Sequence, residues 1–266
     1  MNVFLFELKR TFKSATTWTV VLIALLFLLM DATYPLYQNS RVDVEAILAG
    51  FPPSFSALFG ISVDTIFSYG GFYAFGFLYL SLIGTIMAAL LGLDIFSRES
   101  RSKCQDFLLT KPRSRTSLFC AKLLAALATL VLSNVLYILA SFLAYRIAGQ
   151  TGAPIGNIAL AASALFFTEL VMFSVSVCTA VFAKRVRSVS GTATIIAFGG
   201  FILTALQSIL QIDELRYIAP YKYFNVSLAF SEGHFETRYA VAAAVITVLL
   251  LAISFIHYHR VDIPAS

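Results

Sequence analysis

Residues 97–122 read SRESRSKCQDFLLTKPRSRTSLFCAK, and nine of them are charged: Arg98, Glu99, Arg101, Lys103, Asp106, Lys111, Arg113, Arg115 and Lys122. The rest of the chain is of a different kind. Hydrophobic residues make up 59% of it, charged residues 12%, and 25 of the 266 positions are Phe. A soluble domain carries about a quarter charged residues, so half that fraction points to lipid as the solvent. The charged stretch is therefore a polar island between two apolar runs, at about 71–93 and 118–145.

Each of those runs is long enough to span a bilayer. About 20 helical residues cross the hydrocarbon, and a backbone in lipid must satisfy its own hydrogen bonds, so spans are helices. Working outward gives six spans in one domain over 1–266, at about 16–30, 71–93, 118–145, 158–182, 189–209 and 239–256. The expected fold is an all-α integral membrane protein. The first run is short and stops at Asp31, and no small-residue cleavage site follows it, so an uncleaved span is expected.

Ahead of it, residues 1–13 (MNVFLFELKRTFK) mix Val3, Phe4, Phe6, Leu8 and Phe12 with Glu7, Lys9, Arg10 and Lys13. That mixture suits an interfacial helix, with a frayed terminus as the alternative. The loop 31–69 contains FPPSFSALFGIS (51–62), in which Pro52 and Pro53 would start a short helix on the outer surface. Before the last span, Tyr217, Tyr221, Tyr223 and Phe224 suit an aromatic belt at the membrane interface.

Lys and Arg set orientation, because basic loops are retained in the cytoplasm. Lys9, Arg10, Lys13, the seven basic residues of 97–122, Lys184, Arg185, Arg187 and Arg260 fall on one side. Only Arg41, Arg146, Arg216, Lys222 and Arg238 fall on the other. The expectation is a multi-pass protein of the cell membrane with both termini and the island in the cytoplasm. A net charge of +5 is then explained by topology beside anionic lipid, and no nucleic-acid partner is expected. Cys104, Cys120 and Cys178 lack metal or disulfide spacing and are expected as free thiols.

The island has internal order. Cys104, Phe107 and Leu108 fall at i, i+3 and i+4, an apolar face on a short helix that Pro112 would end. Such a helix suits a groove on a partner protein, and the alternative is a wet loop that only sets topology. Glu99, then Leu108 and Leu109, then Pro112, Ser114 and Arg115, then Lys122 at the next span together resemble the cytoplasmic loop of the ABC-2 type permeases, the membrane subunits of ABC exporters. The usual Gly-Thr of that loop is replaced here by SKCQ (102–105). The opening MNVFLFELKRTFKS, the YIAPYKYFN at 217–225 and the YHRVDIPA at 258–265 also fall where that family has similar elements, so the likeness covers nearly the whole chain.

The resemblance implies a half-transporter: two such permeases, as a homodimer or a paralogous heterodimer, with separate nucleotide-binding ATPase subunits. The short helix would then be the coupling helix, with Glu99, Arg101, Lys103, Cys104, Phe107 and Leu108 touching the ATPase. The chain itself has no G-x-x-x-x-G-K-[ST] loop, so it is not expected to be an enzyme or to bind a cofactor, and ATP with Mg is expected on the partner. In that family the second and fifth spans line the path; here they are mainly Phe, Leu, Ile and Thr, which implies an apolar or amphipathic cargo such as a peptide, an antibiotic or a lipid-like molecule.

An intramembrane enzyme is a poor rival. His234, His257 and His259 all lie in the outer loop or the tail, and no H-E-x-x-H helix exists. An ion-coupled transporter or channel would use Glu169, in FFTELVMF (166–173), since a carboxylate at mid-depth is costly and must face protein or water. The structural alternative is a Glu169 bonded to Asn134 or Tyr137.

Overall fold

The computed structural model describes residues 3–50, 52, 65–102, 115–183 and 185–260, of which all the regular elements are helical. The chain begins with α1 (Val3–Phe27), passes through a π-turn (Leu28–Thr33) into α2 (Tyr34–Asn39), and then forms α3 (Arg41–Ala49). There follow α4 (Tyr69–Ser102), α5 (Arg115–Ile147), α6 (Ile155–Phe182) and α7 (Val189–Leu210). Two short 3-10 turns (Asp213–Ile218 and Pro220–Lys222) lead to α8 (Val226–Glu232) and α9 (Thr237–Arg260). Among the described residues six helical stretches are long and apolar enough to cross a membrane, with the path from α1 to α2 as the first and α4, α5, α6, α7 and α9 as the rest. The expected short helix after Pro52 and Pro53 falls largely outside the described residues.

At the N-terminus the structure corrects the sequence reading. In place of a separate interfacial helix over 1–13 followed by a span from 16, one helix runs from Val3 to Phe27. No Gly or Pro interrupts it, and its Thr hydroxyls bond within the helix: Thr11 to the Glu7 carbonyl, Thr16 to that of Phe12, Thr17 to that of Lys13 and Thr19 to that of Ala15. A polar patch that bonds back to the i−4 carbonyls has no need to break a helix. Nor does the span stop at Asp31. Pro35 lacks an N–H and its ring crowds the carbonyl four residues back, which is that of Asp31, and the helix widens there into the π-turn rather than ending.

The bundle is built around α4 and α6. Helix α6 packs against α4, α5, α9 and α8, while α4 also takes α1 and α7. Without a hydrophobic drive between helices in lipid, close approach depends on small residues. The α6 face supplies Ala161, Ala162, Ala164, Ser174, Ser176 and Ala180, all buried. Opposite them, a Cβ added at Gly92 of α4 would collide with the Ser176 hydroxyl. At the end of the bundle where α4 begins, rings interlock instead: Tyr69 meets Tyr145 edge-on at 5.1 Å and Tyr34 at 5.5 Å. Asn157 of α6 donates to the Phe230 carbonyl at 3.0 Å and so fastens α8 to this end.

Helices α4 and α5 have 34 and 33 residues. At 1.5 Å per residue they measure about 50 Å, well beyond the ~30 Å of a hydrocarbon core. Their excess extends beyond the apolar belt as two helical stalks at the end of the bundle where α4 ends and α5 begins. That end of the bundle is called the basic end below, and the opposite one the far end.

Candidate functional site

The basic end is defined by how the two stalks are rooted. Asp94 and Arg98 sit one turn apart on α4, and the Arg98 guanidinium pairs with both Asp94 and Glu7 of α1. The side chains of Arg98 and Glu7 are 13% and 7% exposed, so this is a largely desolvated pair, whereas Asp94 at 41% remains wet. On the other stalk, the Phe119 ring of α5 lies 5.0 Å from Phe96 and 5.4 Å from both Phe255 and Tyr258. Lys122 is 1% exposed, with its ammonium 5.8 Å from the Phe96 ring and 5.9 Å from the Tyr258 ring, within range of cation–π attraction. Arg115 donates to the His259 carbonyl at 3.4 Å. One root is thus held by the first helix and the other by the last.

Among the residues expected at the site, Arg115 and Lys122 lie at this second root. Glu99 and Arg101 are on the last turn of α4, of which the backbone alone is described. Lys103, Cys104, Phe107, Leu108, Pro112 and Ser114 lie outside the described residues. The sequence reading did not single out Glu7, Asp94, Phe119 or Tyr258. The signals were weak ones: an acidic residue within a basic N-terminal segment, and an Asp and Arg spaced i, i+4 at the end of a span.

At mid-depth, Glu169 is fully buried on α6 and Asn134 of α5 donates to its Oε2 at 2.6 Å. Tyr137, the other expected partner, instead shares a 3.1 Å hydrogen bond with Tyr73, whose hydroxyl also meets Ser141 at 3.3 Å. Gly84 of α4 covers the carboxyl closely: a Cβ there would stand 2.5 Å from Oε1. Glu169 forms no ion pair among the described residues. We expect Glu169→Gln to keep more than half of wild-type transport and cargo-stimulated ATPase activity, since the amide fits the same space and still accepts from Asn134. Both activities are measured in reconstituted vesicles, with and without an ion gradient. Loss of a gradient dependence present in the wild type would assign Glu169 to ion coupling instead.

At the far end, the segment YIAPYKYFN dips between α4 and α7. The Tyr221 hydroxyl shares a 2.5 Å hydrogen bond with Thr85 of α4 and donates to the Ala197 carbonyl of α7 at 3.0 Å. Gly200 of α7 makes room for it, because a Cβ there would lie 3.0 Å from Pro220 and 3.1 Å from the Tyr221 ring. Beside this plug is a cavity of about 350 Å³ whose walls include Ala74, Phe77 and Leu78 of α4, Phe201 and Gln207 of α7, and Lys222. Gln207 is 6% exposed on the cavity wall, while Gln211 is exposed and ends α7 in a left-handed turn with φ of 53°.

From this cavity a half-exposed stripe runs down α4 through Ala74, Leu78, Leu82, Ile86 and Leu90, one residue per turn and none of them charged. The neighbouring α7 exposes Ile195, Phe198, Ile202 and Leu206. These surfaces can accommodate an apolar molecule along the length of the bundle at no electrostatic cost. A family model described as ABC-2 family transporter protein matches residues 1–263. No curated protein and no solved structure matches the chain.

Proposed function

We propose, for a chain that belongs to the ABC-2 family of transporter proteins and is thereby a membrane subunit of an ABC transporter, that it exports an apolar or amphipathic cargo from the cytoplasm. Membership implies association with an ABC ATPase, and ATP with Mg is handled by that subunit rather than by this chain. A second permease, identical or paralogous, completes the path, with α4 and α7 facing it. The basic end with both termini lies on the cytoplasmic side of the cell membrane, with α5 and α9 bathed by lipid.

The observation that carries this reading is the pair of rooted stalks. The two stalks are helices about 50 Å long, one tied through Arg98 to α1 and the other through Phe119 and Lys122 to α9. A partner that displaces the ends of these stalks moves whole spans. The uncharged stripe on α4 supports the choice of cargo. The buried Glu169, bonded to Asn134 and covered at Gly84, supports a structural role for that carboxylate.

The test is recovery of the tagged chain from its native membrane in mild detergent. The expected result is a complex containing two permease copies and a nucleotide-binding subunit, with ATPase activity that rises on adding cargo-like amphiphiles. Recovery of the permease without any nucleotide-binding subunit, under conditions that preserve other membrane complexes, would contradict it.

A further inference from the structure

The far-end cavity carries two polar groups that the protein leaves unused. Gln207 is more than nine-tenths buried; its Nε2 donates to the Ile212 carbonyl at 3.4 Å, but its Oε1 has no hydrogen-bond partner. A buried carbonyl without a donor costs free energy, and here the side chain lines a cavity large enough for a ligand group. Lys222 lines the same cavity. Its neighbour Arg216 is taken by Glu236 at 2.6 Å, whereas the Lys222 ammonium has no ion pair or hydrogen bond among the described residues. Burial, and after it the Arg216 charge, lower the Lys222 pKa, which is the mark of a cation short of counter-charge. Asp213, also on the wall, is exposed and forms no ion pair with it.

The lining also has an apolar part, Ala74, Phe77, Leu78 and Phe201. Leu82 and Ile86 continue from Leu78 at successive turns. We propose that this cavity binds the head of an amphiphile bearing both a negative charge and a hydrogen-bond donor, of the N-acyl amino acid kind. Lys222 takes the carboxylate, the Gln207 Oε1 accepts from the amide N–H, and the acyl chain lies along the α4 stripe. A volume of about 350 Å³ holds such a head and the first methylenes, and the rest of the tail needs the open stripe. The inference rests on the export reading for the direction of movement and narrows its cargo class.

The experiment measures equilibrium binding to the intact transporter in lipid nanodiscs without nucleotide, so that it is independent of transport. The probes are N-lauroylglycine, its methyl ester (no charge), O-lauroylglycolate (charge but no N–H) and dodecyltrimethylammonium. N-lauroylglycine is expected to bind about tenfold or more tightly than the ester or the cation, as for a charge-assisted hydrogen bond. Lys222→Met should remove that preference, weakening the anion far more than the ester, and Lys222→Arg should keep it. Gln207→Leu should weaken N-lauroylglycine but not O-lauroylglycolate. Equal binding of anion, ester and cation would overturn the inference, as would a Lys222→Met variant that weakens anion and ester alike. A head-group preference without ATP-driven efflux would refute only the export reading, and efflux without the preference would refute only this one.

Discussion

Arg98→Met is expected to lower the stability of the purified protein by about 3 kcal/mol, because it leaves the Glu7 carboxylate desolvated and without its cation. The figure is at the low end for a broken buried pair, since Arg98 and Glu7 retain 13% and 7% exposure. Asp94, at 41%, can rehydrate and should contribute less than about 1 kcal/mol. A second substitution separates this from simple loss of packing. In the double variant Arg98→Met with Glu7→Met no charge is left stranded, and most of the lost stability should return. Arg98→Lys should fall in between, because a single ammonium cannot reproduce the fork that meets two carboxylates. Thermal unfolding in detergent reads all three. If the double variant is no more stable than Arg98→Met alone, the link between α1 and the stalk of α4 is not ionic in origin.

The six spans and their order were legible in the sequence because lipid imposes one constraint, long uncharged helices, and hydropathy reports it directly. The start of the first span was not. The SATTWT run at 14–19 reads as polar in a composition window, but each of its Thr hydroxyls bonds to the carbonyl four residues back and is no obstacle to a helix. Pro35 likewise reads as a terminator, yet a π-turn absorbs it. Of the candidate site, Glu169 and its bond to Asn134 were accessible, because a lone carboxylate at mid-depth needs a partner one helix away. The Glu7–Arg98 pair joins residues 91 apart in the chain, and no local pattern encodes that separation. The far-end cavity was hidden for the same reason. It depends on Pro220 and Tyr221 inserting against Gly200, whereas the sequence alone placed Tyr221 in a belt at the membrane interface.

The central claim is that the island of residues 97–122 is the contact through which an ATPase drives the spans, and it is tested most directly at Phe107 and Leu108. Falling three and four residues after Cys104, they are expected to share one apolar face with it and, in the proposed docking, to anchor the segment while Arg101 and Lys103 orient it. Burying one such side chain is worth about 1.5 to 3 kcal/mol, so truncating both corresponds to more than tenfold in coupling. Insertion should not change, since Arg98, Arg113 and Arg115, the basic residues expected to set the orientation, are left in place. The measurement is cargo-stimulated ATPase activity of the reconstituted complex carrying Phe107→Ala with Leu108→Ala, beside its abundance in the membrane. A drop of at least about tenfold in stimulation at normal abundance is the predicted result; unchanged stimulation would mean that the island only sets topology, and would contradict the account.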